Sequence, residues 1–227
     1  MLFPCIILCR KGSKSLKNKN ISKLGNLSIF EITKNYAKKS KYVTHIVVST
    51  DDKKIYNQAK KDCFVIFPRP KKISGDRAST ESALKHALKV FEENFGKADY
   101  VSYLQVTEPF RPPKILDKCY AKILKNKKID SCFAAFEQKK NFWKLKNQKM
   151  IRVTDKRERY KPRQQKKTIL REDTGVALVT KSKFIRKGER VGNNISCVKY
   201  SKSIYNLDIN YPEDFKLAKL INKNFKF

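Results

Sequence analysis

Histidine is nearly absent from this chain, with two among 227 residues. The six cysteines, at positions 5, 9, 63, 119, 132 and 197, include no Cys-x-x-Cys pair. Both scarcities argue against a zinc site, which needs clustered thiolates and imidazoles. The cysteines read instead as buried free thiols of a reducing compartment. Acids are few as well: 21 against 53 Lys plus Arg, a formal net charge of +32. Such an imbalance raises nucleic acid or an anionic surface as a partner. Within the cations, however, Arg is the rare one, 11 against 42 Lys. Lys recurs in nearly every segment, as a solvated surface does. Arg carries a planar, two-pronged fork for phosphate and carboxylate, so it is the better pointer to an anion site. Long apolar runs are missing too. "LFPCIILC" is too short to span a membrane and has no basic region before it, so it reads as neither anchor nor signal peptide. A cytoplasmic protein is expected. No Gly/Ser linker and no internal repeat is present.

What remains is enough for one α/β domain, with 40% hydrophobic residues. "FPCIILC" (3–9) is a continuous apolar run ended by a Gly/Ser loop, the pattern of a buried parallel strand. "THIVVST", "CFVIF" and "DYVSYLQV" read as further strands. Between them, "LSIFEITKNYAKKS", "DKKIYNQAKKD" and "STESALKHALKVFEENF" carry helical spacing, the last with Ser79 as N-cap. "PPKILDKCYAKILKN" adds a fourth helix with Pro at its start. Strict strand–helix alternation predicts a mostly parallel sheet with helices on both faces. Ligands then bind beyond the carboxyl ends of the strands. From about Asn141 to Lys167 the pattern breaks into a polar excursion, read as a hairpin that leaves the domain and returns. "TGVALVTKSKFI" and "ISCVKY" resume the sheet, and "PEDFKLAKLIN" closes the chain as a helix.

The strand-end loops carry the candidate chemistry. "RKGSKSLKNKN" (10–20) places backbone N–H groups, Ser13 and several cations at the sheet's mouth. It reads either as a phosphate cradle or as a generic basic surface, and it is not a Walker A loop. Asp51 and Asp52 end a strand and begin a helix, where N-capping accounts for them. Arg69 lies between two prolines. "LQVTEPFR" offers Gln105, Thr107 and Arg111. In "NLDINYPEDF", Asp208 and Asn210 alternate as along a strand and point the same way. Two oxygens so placed suit Mg²⁺, which keeps waters and substrate phosphates as its other ligands. The alternative is a plain strand-to-helix turn in which Asp214 favours the helix N-terminus.

Seven segments in order resemble the acylneuraminate cytidylyltransferases, the CMP-sialic acid synthetases. They are "RKGSKSLKNKNI", "VVSTDD", "RP…SGDRAST", "LQVTEPFR", "KPRQQ", "REDTGVALVT" and "LDINYPEDFKLA". Kdo cytidylyltransferases resemble the chain less, since their first loop differs. The resemblance implies a nucleotide-diphospho-sugar transferase fold, in which the 141–167 excursion forms a homodimer and each site receives residues from the partner subunit. It implies the Mg²⁺-dependent reaction of CTP with a nine-carbon 2-keto-3-deoxy sugar acid, giving CMP-sugar and pyrophosphate. By the same resemblance, Arg10, Ser13, Lys14, Lys19 and Asn20 would hold the triphosphate. Arg69, Ala78 and Thr80 would line the cytosine pocket. Gln105, Arg163, Gln164 and Arg171 would contact the sugar acid, and Asp208 and Asn210 would hold Mg²⁺. Arg10, Lys19 and Asp208 would carry catalysis, which here needs positioning and charge neutralisation more than covalent help.

Three departures stand out. Asn210 replaces an Asp common in the family, "REDTG" replaces R-x-N-G, and Glu108 stands where a small Ser is usual. Asn210 keeps open a relative that has lost catalysis. A nucleic-acid-binding protein is the other alternative. It would need aromatic residues interleaved with cations on one face, and these are not found.

Overall fold

The structure is a computed structural model in which residues 1–12, 16–75 and 78–225 are described. Ser13 and Lys14 therefore lie outside the described residues. The elements run as β1 (Pro4–Cys9), β2 (Lys23–Leu24), β3 (Leu27–Ser28), α1 (Ile29–Lys38), β4 (His45–Thr50), α2 (Lys53–Ala59) and β5 (Phe64–Ile66). There follow α3 (Thr80–Phe95), β6 (Tyr100–Tyr103), α4 (Ile115–Lys125), β7 (Ser131–Gln138), β8 (Trp143–Lys146) and β9 (Lys149–Arg152). The last are β10 (Ile169–Lys181), α5 (Ser182–Lys187), β11 (Ile195–Tyr200) and α6 (Pro212–Asn224).

Seven strands form one sheet in the order β11-β7-β10-β6-β1-β4-β5. All neighbouring pairs are parallel except those made by β10, which runs antiparallel to β6 and β7. The expected α/β class holds. β1 shows why its sequence is apolar throughout. Cys5, Ile7 and Cys9 face one core with α1 and α4, while Ile6 faces the other with α3. A strand buried on both sides has no polar face to offer. The same logic makes the helices amphipathic: Ala83, Leu84, Ala87, Leu88 and Phe91 are the buried stripe of α3. Each such Leu or Phe, fully buried, contributes about 1.5–3 kcal/mol by leaving water. Ser79 caps α3 by accepting from Ser82 N, as expected, and Ser28 and Glu31 form a capping box on α1. Asp52 caps α2 through Lys54 N, and Asp51 Oδ1 accepts from Lys11 N at 2.7 Å. Asp52 is thus the expected cap, whereas Asp51 instead ties the first loop to the end of β4.

Three expectations change. β7 was not anticipated from "SCFAAFEQ", which shows no clean alternation. Its buried residues on both faces give a run that periodicity cannot assign. β10 begins at Ile169, five residues before the expected start, and carries a bulge between Asp173 and Leu178 where pairing with β7 shifts register. Asp208 and Asn210 lie on no strand; the segment before α6 is irregular. Within the excursion, β8 and β9 form a separate two-stranded hairpin, turned by Asn147 and Gln148 at φ 48° and 61°. Among the described residues, no helix is long and apolar enough to cross a membrane.

Candidate active site

The parallel strands β1, β4, β5 and β6 deliver their following loops to one edge, around a cavity of about 330 Å³. From the first loop, Arg10, Gly12, Lys19 and Asn20 line it. Asn20 Nδ2 donates to Arg10 O at 3.0 Å, which closes the loop on itself. Lys19 opens a short 3-10 turn and donates from Nζ to Ile209 O at 2.9 Å, so it ties the start of the chain to its end. Burial lowers the Lys19 pKa, against the opposing pull of Asp208.

On the α3 side, Arg69, Ala78, Ser79 and Thr80 line the cavity. Arg69 is buried and donates from Nε to Ser49 Oγ at 3.1 Å and from Nη2 to Ser49 O. Its own N–H donates to Thr50 O at 2.7 Å, which pins the loop to the end of β4. An Arg held this way presents a fixed edge to a flat ligand.

The floor is a hydrogen-bonded relay. Tyr103 OH donates to Gln105 Oε1 at 3.4 Å, and Gln105 Nε2 donates to Thr107 Oγ1 at 2.8 Å. Thr107 in turn donates to Asp208 Oδ1 at 2.5 Å, while Asn210 Nδ2 donates to Asp208 Oδ2 at 2.9 Å. Ile209 N donates to Thr107 O at 2.7 Å, so backbone and side chains together hold the 208–210 segment here. The two proposed metal-site side chains therefore meet, although no strand aligns them.

Arg111 behaves differently from the other arginines. It is buried and donates to the carbonyls of Gln105 and Val176, 2.5 and 2.9 Å away. It is an internal strut that fixes the β6–α4 loop to the β10 bulge, and so Arg111 is structure where an anion contact was sought.

On the β10 side, Arg171 donates from Nε to Asp173 Oδ1 at 2.7 Å and from Nη2 to Asn206 Oδ1. The hydrogen bond with Asp173 raises the Arg171 pKa. Asp173 also accepts from Tyr200 OH at 2.5 Å. Glu108 lies within electrostatic reach of both networks, Asp208 in one and Asp173 and Arg171 in the other. Burial pushes its carboxyl up to about 8, against the pull of Arg111.

Of the expected site residues, Arg10, Lys19, Asn20, Arg69, Ala78, Thr80, Gln105 and Asn210 share the cavity lining, and Asp208 is bonded to it. Arg163, Gln164 and Arg171 do not line it: the first two sit on an exposed 3-10 turn, Arg163–Gln165, and Arg171 lies on β10, bonded to Asp173 and Asn206. Tyr103 was not singled out, because at the end of an apolar strand it reads as core. Its partner Gln105, two residues on, was the available signal.

Such a mouth, with cations, a relay-held carboxylate and strand-end loops, is that of a nucleotide-handling α/β enzyme. The chain belongs to the cytidylyltransferase family, whose description matches residues 4–223, and it is accordingly a nucleotidyltransferase. It is 28% identical to a pseudaminic acid cytidylyltransferase of Campylobacter jejuni, over 96% of this chain and 95% of that protein. It is 38% identical to a CMP-N,N'-diacetyllegionaminic acid synthase of Campylobacter jejuni, over 40% of this chain and 39% of that one. The solved structure of CMP:2-keto-3-deoxy-manno-octonic acid synthetase complexed with CTP superimposes with a TM-score of 0.71 at 14% identity, covering 99% of this chain and all of that one. That likeness concerns the fold alone.

Proposed function

We propose that this protein transfers the cytidylyl group of CTP to the anomeric hydroxyl of a sialic-acid-like nonulosonic acid. The hydroxyl oxygen bonds to the α-phosphorus as the bond to the departing pyrophosphate breaks. One observation carries the reading: Arg10 and Lys19 near the start of the chain meet Asp208 and Asn210 near its end at one cavity. Cations and a carboxylate converging from such distant positions suit a bound polyphosphate and its metal. The names of the two Campylobacter relatives, both acting on nonulosonic acids, support the choice of acceptor.

In this reading Arg10 and Lys19 offset charge that builds on the pyrophosphate, with Ser13, Lys14 and Asn20 completing the cradle. Arg69, Ala78 and Thr80 bound the base. Gln105 and Arg171 face the sugar acid, and Arg171 is preoriented by Asp173. The residues present fit Mg²⁺. Asp208 is held in place by Thr107, and Asn210 adds an amide oxygen once its side chain turns over, which suits an ion that takes few protein ligands. Mg²⁺ bound there would neutralise phosphate charge.

The hairpin supports a homodimer. Trp143, Leu145 and Met150 share one of its faces, and they are 49%, 69% and 61% exposed. A lone two-stranded hairpin is marginal in water, and an exposed apolar face needs a cover. A second copy would supply one, and would bring Arg163 and Gln164 toward the partner's sugar side. Six free cysteines fit a cytoplasmic location.

The test is pyrophosphate release with CTP, Mg²⁺ and a panel of N-acetylneuraminate, legionaminate, pseudaminate and Kdo. Turnover with a nine-carbon acid is expected. Silence with every sugar, beside tight salt-sensitive RNA binding, would sink the reading.

A further inference from the structure

The β10 bulge and the β6–α4 loop enclose a polar group that no protein partner completes. Glu108 Oε2 is buried and has no hydrogen-bond partner among the described residues. It occupies the space left by the missing side chain of Gly175. A Cβ there would overlap Oε2 and lie 2.9 Å from Gln105 Cβ. The backbone fixes this arrangement, since Gln105 N donates to Gly175 O at 2.8 Å and Glu108 N to Gln105 O at 3.2 Å. None of the described neighbours bonds Oε2. Arg111 spends its donors on the carbonyls of Gln105, Gly175 and Val176 and on Thr33 Oγ1. Arg171 is committed to Asp173 and Asn206, Tyr200 OH to Asp173, and Gln105 Nε2 to Thr107. A buried acceptor left unmade costs free energy, and native structures keep few of them.

We propose that Glu108 is a substrate-selecting residue of the site described above. Its carboxyl is completed by an O–H or N–H donor on the bound sugar acid, a hydroxyl or an acylamino group. The inference rests on the proposed function and deepens it.

Three considerations favour the sugar over the nucleotide. Glu108 interacts with Arg171 and Asp173 on the β10 side, next to the cavity-lining Thr107 but not itself in the lining, whereas the phosphate-loop residues and Arg69 line the cavity. Asp208 and Asp173 both act on it, an environment unsuited to a further phosphate. Burial also keeps the carboxyl protonated at neutral pH, so it does not repel the carboxylate of the substrate. Arg111, Arg171, Asp173, Asp208, Tyr103 and Tyr200 are the charged and titratable groups around it. Glu108 as a whole is only partly buried. Its last torsion is soft, so the carboxyl can turn to bring the unpartnered oxygen to a donor on the ligand.

The experiment is initial-rate pyrophosphate release at saturating CTP, varying the best sugar acid of the panel, for wild type, Glu108→Gln, Glu108→Leu and Glu108→Ala. Glu108→Leu is expected to raise KM for the sugar acid about tenfold, with KM for CTP and kcat within about twofold. Glu108→Gln, which keeps an acceptor and a donor, is expected to restore most of that loss. If the Leu variant does not fold, Glu108→Ala carries the same expectation, with CTP binding as the check of an intact site. Analogues identify the donor. The sugar lacking the partnered group, acylamino N–H in one arm and hydroxyl in another, should show no KM difference between wild type and Glu108→Leu. An equal rise in KM for CTP, a Gln variant as impaired as the Leu variant, or an unchanged sugar KM overturns the inference alone. A wild type silent with every sugar acid overturns it together with the function it rests on.

Discussion

The sheet has two halves, and they are built by different rules. In the β5-β4-β1-β6 half every strand runs the same way, so each carboxyl end opens at one edge. Its helix starts are locally capped, Asp52 on α2 and Ser79 on α3, and Arg69 is tied back to Ser49 at the end of β4. The β10-β7-β11 half contains the reversed strand, the bulge and the detached hairpin. Its polar groups find partners across long stretches of chain, as Arg171 does with Asn206 and Tyr200 with Asp173. The first half owes its strands and helix starts to local signals, and its cavity closes through long-range contacts such as Lys19 with Ile209. The second owes its reversed strand and bulge to tertiary contacts.

Substitutions can test this division. The largest effect is expected in the first half. Arg10→Ala or Lys19→Ala should lower turnover by about 10²–10³-fold while the far-ultraviolet spectrum stays that of the folded chain, read by pyrophosphate release and circular dichroism. Unchanged turnover would remove these residues from the phosphate site. Asp208→Ala should come next, with turnover falling and the Mg²⁺ concentration needed for half-activation rising; an unaltered Mg²⁺ titration would refute a metal role. For the hairpin, Leu145→Asp with Met150→Asp should convert a dimer to a monomer in sedimentation velocity and lower activity by about tenfold. A dimer that persists would place the interface elsewhere.

Within the second half, Gly175→Ala should destabilise the fold by about 1–3 kcal/mol, measured by urea unfolding, because its Cβ meets Glu108 and Gln105. Glu108→Gln should produce a change that depends on pH. The folded-state carboxyl titrates at about 8 against an ordinary 4.5, so folding favours its protonated form. Wild type therefore loses stability as pH rises through that window, and Glu108→Gln does not. The melting-temperature gap in favour of Gln should widen from pH 5 to pH 8 and then level off. A gap that stays constant would mean that Glu108 is ionised throughout.

Much of the first half was legible in the sequence because its signals are short-range. Apolar runs closed by loops marked β1 and β4, Ser79 marked the start of α3, and the basic loop lay where a parallel strand must end. The other half was harder for identifiable reasons. β7 is buried on both faces and so has no period to read. The start of β10 was concealed by the exposed Arg171 and Glu172 and the buried Asp173, three charged residues in a row. Arg111 looked like an anion contact, because its role depends on carbonyls brought near it by the bulge at 174–177. The pairing of Asp208 with Asn210 was anticipated on one side, but through an alternating strand that does not exist.

Composition and periodicity alone determined an α/β chain whose cations cluster in strand-end loops, because burial on two faces and capping leave local marks. Only the tertiary structure decided that Lys19 meets Ile209, that Thr107 aims Asp208, and that Glu108 lies unpartnered over Gly175. Those contacts join residues about a hundred or more positions apart, or depend on a register shift. Nothing in the local order of side chains encodes the distances between them.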